Sequence, residues 1–356
     1  MTRPFGLRDL GLVWSLRGCG ITLDMQRAAL WPSRPIGAAL SGLLPPGHAG
    51  ATMTYVCDGD TTNQRGFIQV LTCPERQEWQ VIHLAPWPEG EGTGSSEGWA
   101  GALGDLCSLA GAQGALRIRA GVAEGSGGEA AFRQAGFAAY AREAVYRLSK
   151  PEPRAEAGRG LRSLSAVDAW PLLQLMGQVV PPAVQHAEGL ALSSPDVPVL
   201  ARLGANREQG YVLERGTDLG AYVGLSRGAQ GAWARILLHP EARGQAVDVV
   251  WQAIAAAVPA RALFCAVREY QSGLRGLLEG LGFEFVGVQV WLVKHTARPA
   301  ECLRHRYAVA HDARVEPATT PLHPVNDVTL RPCSPSMREQ WMYEHWRADT
   351  YAFGSD

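Results

Sequence analysis

The chain has 356 residues, 46% of them hydrophobic and 19% charged, with a formal net charge of −1. That length suits about two domains of ~100–200 residues each, with sizeable cores. The charge balance argues against a nucleic-acid protein that works by neutralising phosphates, and the most apolar stretch, Val249 to Val267, is broken by Gln252, Pro259 and Arg261, so no membrane span is expected. The cysteines Cys19, Cys57, Cys73, Cys107, Cys265, Cys302 and Cys333 form no CxxC pair, which leaves no zinc or thioredoxin motif. No secretory signal opens the chain, so reduced thiols in a cytoplasm are expected.

In chain order, Leu7-Arg8-Asp9-Leu10 opens a first unit. Ala51 to Cys57 and Gly66 to Thr72 read as strands joined by a polar turn, and Trp79 to Leu84 as a third strand. Pro88 to Gly98, rich in glycine and serine, reads as a surface loop. Trp99 to Ala110 has helical apolar spacing, and Ala115 to Ala120 is a short strand. A helix-like run, Glu129 to Phe137, ends in Gly-Phe, and Tyr140 to Leu148 is strand-like. Pro151 to Gly158 has two prolines, two acids and no apolar periodicity, and reads as a linker. Beyond it Leu161-Arg162-Ser163-Leu164 repeats the opening landmark 154 residues on. Ala166 to Val179 is helical. Tyr211 to Arg215, Gly220 to Leu225 and Ala232 to Leu238 form a meander, Ala246 to Val258 an apolar helix, and Ala262 to Val267 a buried strand. Ser272 to Phe283 ends in a second Gly-Phe, offset from the first by 146 residues, and the strand-like Glu284 to Val293 follows it. Similar offsets at both ends of the unit predict two diverged copies of one domain. Each copy is expected to be a mixed α/β sheet with helices on its faces.

This order resembles the GNAT acetyltransferase fold, twice, over roughly residues 7–148 and 161–295. Leu237-Leu238-His239-Pro240-Glu241-Ala242-Arg243-Gly244-Gln245 is similar to that family's strand-four exit and pyrophosphate loop. Leu274 to Phe283 is similar to its last helix and Gly-Phe turn. The implied organisation is an N-terminal lobe at 1–150, a linker at 151–160, a C-terminal lobe at 161–296, and an extension at 297–356. In that extension Val328-Thr329-Leu330-Arg331-Pro332 resembles the opening strand of a third unit, followed by a helix capped at Ser334.

The resemblance implies acetyl-CoA as a cofactor, held at a helix start where orphan N–H groups and about half a positive charge attract phosphate. In the second copy the implied cofactor residues are Leu238, Arg243, Gly244, Gln245, Ala246, Val247 and Gln271. Ala246 stands where the family has a glycine, and Asp248 adds a carboxylate to the first turn. In the first copy the corresponding stretch carries Glu89, Glu91 and Glu97 and no basic residue, which suits a solvated loop. The positions of the family's proton-donating Tyr hold Phe132 and Leu278, neither of which can donate. Tyr270 is the nearest substitute, and His83 and His239 are the candidate bases. No metal site is expected.

Two readings of function follow. One is a diverged, two-lobed binding or scaffolding protein with weak or no acetyl transfer, for which acetyl-CoA is admitted but not required. The other is an active acetyl-CoA-dependent N-acetyltransferase with the second copy catalytic. A third role, as a structural subunit of a larger assembly, is motivated by the tail, where Trp341, Tyr343, Trp346, Tyr351 and Phe353 predict docking on this chain, a homodimer or a protein partner.

Overall fold

The structure is a computed structural model and describes residues 1–43, 52–58, 65–88, 93–152, 160–189 and 208–296. The expected C-terminal extension, the middle of the linker and part of the Pro88–Gly98 stretch lie outside the described residues. In chain order the strands of the first copy are β1 (Thr2–Pro4), β2 (Ile21–Thr22), β3 (Thr52–Asp58), β4 (Arg65–Cys73), β5 (Glu78–Ala85), β6 (Arg117–Ala123) and β7 (Ala138–Ser149). Those of the second are β8 (Leu161–Ser163), β9 (Gln209–Arg215), β10 (Asp218–Arg227), β11 (Ala232–Leu238), β12 (Ala262–Arg268) and β13 (Glu284–His295). The meanders and the buried strand Ala262–Val267 thus fall where the sequence places them, and the short strand expected at Ala115–Ala120 runs over Arg117–Ala123. One helix differs. Thr93–Ala112 begins inside the stretch read as a loop. The buried face of Leu103, Leu106 and Ala110 stabilises the whole helix, and packing outweighs the poor propensity of its first turn.

The two Gly-Phe landmarks have one physical cause. Gly136 and Gly282 sit in the left-handed region at φ 84° and 87°, where only glycine is free of strain. Each ends a helix in a Schellman turn: Phe137 N–H donates to the Phe132 carbonyl, and Phe283 N–H to that of Leu278, both at 3.0 Å. The Phe then tucks back on the helix it follows, and Phe132 and Phe137 meet edge to face at 5.0 Å.

The opening landmark is different. Arg3 and Arg162, not the Leu-Arg-x-Leu quartets, are the matching residues. Arg3 forks onto Asp9 with two bonds of 2.7 Å, and Arg162 onto Asp168 with two of 2.7 Å. Each carboxylate also accepts a backbone N–H, from Gly6 at 2.9 Å and Ser165 at 2.8 Å. The forked bond from Arg3 holds the Asp9 carboxyl down at about 2. The short motif Leu-Arg-x-Leu recurs out of register with this pairing, with Arg8 in a turn and Arg162 in a strand.

Both copies share one sheet, in the order β1-β3-β4-β5-β6-β13-β7-β12-β11-β10-β9-β8. The last strands are exchanged. β13 of the second copy pairs with β6 of the first, β7 of the first pairs with β12 of the second, and β7 and β13 pair with each other. The seam between the copies is two interleaved strands, and the sheet runs through it. Glu143 stands opposite Gln289 in β7·β13. These two residues are separated by the same 146 positions as the Gly-Phe pairs, so the local twofold relation between the copies passes between them. On one face the cores of both copies continue across the seam. Val290 packs in the first with Leu103, Leu106 and Phe132, and Val288, two residues away, packs in the second with Val250, Ile254 and Phe283.

Candidate functional site

In each copy one pair of neighbouring strands is parallel, and each pair parts. β5 and β6 pair from Glu78↔Arg117 to Val81↔Ala120, after which β5 runs on to Ala85 and β6 to Ala123. β11 and β12 pair from Ala232↔Leu263 to Arg235↔Ala266 before diverging. Parting strands leave main-chain donors and acceptors unpaired along the cleft, and these need partners. The clefts are where an extended ligand would add to the sheet.

The first cleft is filled by its own chain. β2 lies antiparallel to β5, with Ile21 opposite Leu84 and Thr22 opposite His83. Leu23 N–H donates to the Ile82 carbonyl and Asp24 N–H to that of Gly121, each at 2.9 Å, so the segment is tied to both parted strands. Met25 N–H adds a bond of 2.9 Å to Gln289 Oε1. Asp24 adopts φ 71° to make this turn, and its carboxylate accepts from Gln26 N–H at 3.0 Å and Gln80 Nε2 at 3.1 Å. Burial raises its pKa.

His83, a candidate base, sits beneath this plug. It is 3% exposed and stacked on Phe67 at 5.5 Å, and neither ring nitrogen has a partner. Desolvation pushes its pKa down to about 4. Gly20 covers it so closely that a Cβ there would lie 2.5 Å from Nε2.

The second cleft is closed by a side chain. Leu238 N–H donates to Gln271 Oε1 at 3.0 Å, and Gln271 Nε2 donates to the Leu238 carbonyl at 3.1 Å. The structure thus brings together two of the residues expected to hold cofactor, but spends them on each other. Gln271 itself interrupts the turn Glu269–Leu274 with non-helical angles. The loop Pro240–Gln245 winds into a 3₁₀ turn that runs into the helix Ala246–Ala257. Such a turn supplies carbonyl partners to the donors that a bare helix start would offer. Ala246 N–H, for one, donates to the Arg243 carbonyl. Arg243, Gly244, Gln245 and Val247 are exposed, and Ala246 and Asp248 are half-buried. The residues present therefore do not fit a pyrophosphate cradle: donors are taken up by the turn, and Asp248 adds a negative charge.

His239 caps the same turn, its Nδ1 accepting Glu241 N–H at 3.2 Å. Tyr270 is half-buried and packs on the core of Leu172, Leu175, Leu237 and Trp291. Burial pushes its hydroxyl up to about 12. The three candidate acid–base residues thus fall in three settings: His83 under the plug, His239 in a cap, and Tyr270 against the helix Ala169–Val179.

What sequence reasoning missed is an ionic chain across the seam. Glu78 accepts from Arg117 Nε at 2.8 Å and from Arg119 Nη2 at 2.6 Å. Arg119 donates to the Tyr140 hydroxyl at 3.1 Å, and that hydroxyl donates to Glu188 at 3.2 Å. Arg268 donates to Glu188 at 2.9 Å and pairs with Glu143, which also accepts from Gln289 Nε2 at 3.1 Å and Trp291 Nε1 at 3.2 Å. The surrounding arginines, Arg268 and Arg119 foremost, offset burial and hold Glu188 down at about 2. The signal in the sequence was Arg117 and Arg119 alternating with apolar residues on a strand, which puts both on one face. Every anion and cation named here has a counter-ion, so the chain reads as a structural seam.

No family model matches the chain, and no curated protein does. Solved structures of similar outline include a tandem GNAT protein from the clavulanic acid biosynthesis pathway, at 18% identity over 83% of this chain and 98% of that one, with a TM-score of 0.47. A GCN5-related N-acetyltransferase from Sphaerobacter thermophilus matches at 13% identity over 83% and 95%, with a TM-score of 0.47. One from Anabaena variabilis matches at 11% over 83% and 73%, with a TM-score of 0.40. Among the described residues no helix is long and apolar enough to cross a membrane, and no group of three His, Cys, Asp or Glu could hold a metal.

Proposed function

We propose that this chain is a diverged GNAT-fold protein with weak or no acetyltransferase activity, acting as a binding or scaffolding module built from two fused copies. The observation that carries this reading is that both clefts between the parted strands are filled from within, by Ile21–Asp24 in the first copy and by Gln271 in the second. Beside them, the candidate base His83 is sealed from solvent, and the helix start that would face phosphate winds into a turn of its own. The buried thiols Cys57, Cys107 and Cys265 suit a reducing cytoplasm.

Calorimetric titration of acetyl-CoA tests this. We expect a dissociation constant weaker than about 1 mM, beyond the usual range of substrate affinities, and no acetyl transfer to a panel of amines. A second reading, an active N-acetyltransferase with the second copy catalytic, is favoured by the exposed Arg243 and Gly244 and by a protonated Tyr270 beside Gln271. Micromolar binding together with amine acetylation would establish it in place of the first.

A further inference from the structure

The face of the sheet away from the joined cores carries an exposed surface that the clefts do not use. Ile68 and Val290 point into the first core, so their chain neighbours Phe67 and Trp291 point to the other face. There Phe67 packs with Val13 and Ala39, from the helices Leu10–Leu16 and Pro35–Ser41, and Trp291 packs with Leu172 and Leu175, from the helix Ala169–Val179. Leu30, from the helix Met25–Leu30, packs with Ala266, whose neighbours Cys265 and Val267 point into the second core. Helices of both copies thus form one layer. Among the described residues ten large apolar side chains are exposed, and seven of them lie on this layer or on the turns that open and close its helices. Trp14 and Trp170 lead them at 57% and 60% exposed, with Trp31, Leu40 and Val167 among the rest. The charge of the layer is one-sided too. Residues 1–43 hold five arginines and two aspartates. Neither aspartate is exposed: Asp9 is forked by Arg3, and Asp24 is held in the first cleft. Arg8, Arg17 and Arg34 are exposed and form no ion pair among the described residues, and Arg17 lies over the Trp14 ring at 4.2 Å. From Leu164 to Ala187 the only Asp, Glu, Lys or Arg is Asp168, buried and forked by Arg162. Asp58 and Glu214, on outer strands, are taken by Arg3 and Arg65 and by Arg162.

We propose that this layer is a docking surface for an anionic lipid bilayer, met by the tryptophans and aliphatic side chains at the headgroup boundary and by the unpaired arginines on the acidic headgroups. Trp and Arg beside aliphatic side chains are the composition of interfacial contacts. The exposed apolar side chains are spread over helices of both copies, which suits a broad surface and no single groove. The twofold relation between the copies keeps both sets on the same side of the sheet. A second copy of the chain would set the same unpaired arginines against one another, and a nucleic acid would leave Leu40 and Val167 unused. Among the described residues no helix is long and apolar enough to cross the bilayer, so the helices lie on its surface. The layer is independent of the clefts, so acetyl-CoA titration and lipid binding are separate readouts.

The test is flotation of the full chain with vesicles of phosphatidylcholine alone and of phosphatidylcholine with phosphatidylserine. Each exposed arginine near an anionic surface is worth about fivefold in affinity. With three of them the chain should bind the anionic vesicles about a hundredfold more tightly than the neutral ones, and salt at about 0.5 M should remove the difference. The variant with Arg8→Gln, Arg17→Gln and Arg34→Gln should lose most of that preference. Trp14→Ser with Trp170→Ser should weaken binding to the anionic vesicles by at least about tenfold, through lost apolar burial. Arg133→Gln, on the helix Gly127–Gln134 of the opposite face, is the control and should leave binding unchanged. Equal affinity for the two kinds of vesicle, or a loss in Arg133→Gln as large as in the triple variant, overturns the proposal. So does binding of an oligothymidylate without binding of vesicles, which would assign the surface to a nucleic acid. Thermal melting checks that the variants fold. If the tryptophan variant does not, the arginine variant decides, because all three of its substitutions are at exposed positions.

Discussion

Acidification should destabilise this protein through a single buried histidine. His83 is buried with both ring nitrogens unpartnered, and its pKa falls from 6.5 in the open chain to about 4 in the fold. Between those values the unfolded chain binds a proton that the folded chain refuses, so stability is fully present above pH 6.5 and is lost as pH falls toward 4. The separation corresponds to about 3 kcal/mol at 1.36 kcal/mol for each tenfold change in proton affinity. That is a large part of the 5–15 kcal/mol a domain possesses. Substitution by leucine removes the titration while keeping an apolar side chain against Phe67. Urea unfolding of wild type and His83→Leu at pH 7 and pH 4 gives the difference directly. Whatever packing the substitution costs is common to both conditions and cancels. The wild type should lose about 3 kcal/mol more than the variant between the two. The forked bond of Arg3 to Asp9, with the Asp9 carboxyl held at about 2, acts in a lower window and is common to both proteins. Equal losses in the two proteins would refute the account, and would mean that His83 finds a proton acceptor or water in the folded state.

Gly20→Ala should destabilise the fold by about 2 kcal/mol in urea unfolding, because its Cβ would lie 2.5 Å from His83 Nε2 and 2.8 Å from the Leu84 carbonyl. A neutral result would mean that the plug segment is free to shift. Gln289→Glu should cost about 3 kcal/mol at pH 7, since it replaces the donor to Glu143 by a second carboxylate at a site where both residues are buried. The loss should shrink toward pH 5 as the two acids share a proton, and a pH-independent loss would point to packing alone.

Much of the fold was legible because its periodicities are local. The apolar runs of β3, β4 and β12 and the Gly-Phe turns each answer to residues within a few positions. The Gly-Phe offset was informative for a physical reason, because a Schellman turn favours a left-handed glycine and an apolar residue after it packs back on the helix. The opening landmark misled because the true signature, Arg3 with Asp9 and Arg162 with Asp168, spans six positions and a strand-to-turn boundary. Strand exchange left no trace at all. β7 and β13 have the same alternation whichever neighbour they pair with, and the choice is made by contacts more than a hundred residues apart. The site was half legible. Leu238 and Gln271 were singled out, but a sequence does not tell an amide that waits for a ligand from one already bonded to the main chain. Nor could composition show that Ile21–Asp24, a stretch with no marked pattern, lies in the first cleft.

The exchanged strands carry the last prediction. If the copies were independent lobes, a cut in the linker would yield two folded halves. The sheet says otherwise. Residues 1–150 alone would leave β6 without β13 and β7 without β12, exposing the edges of both strands. Val290 and Leu292, both buried in the first core, would be missing from it. Residues 160–296 alone would lack Ala144 and Tyr146, which complete the second core, and Glu143, one of the two carboxylates paired with Arg268. Each large apolar side chain removed from a core costs about 2–5 kcal/mol, so neither half should retain enough stability to fold. Expressed together they should assemble, because the seam buries every group each half lacks. Circular dichroism and thermal melting of the separate and mixed halves, with sedimentation to count chains, decides the matter. Two halves that each melt cooperatively on their own would show that the exchange contributes little, and that the copies are lobes in the ordinary sense.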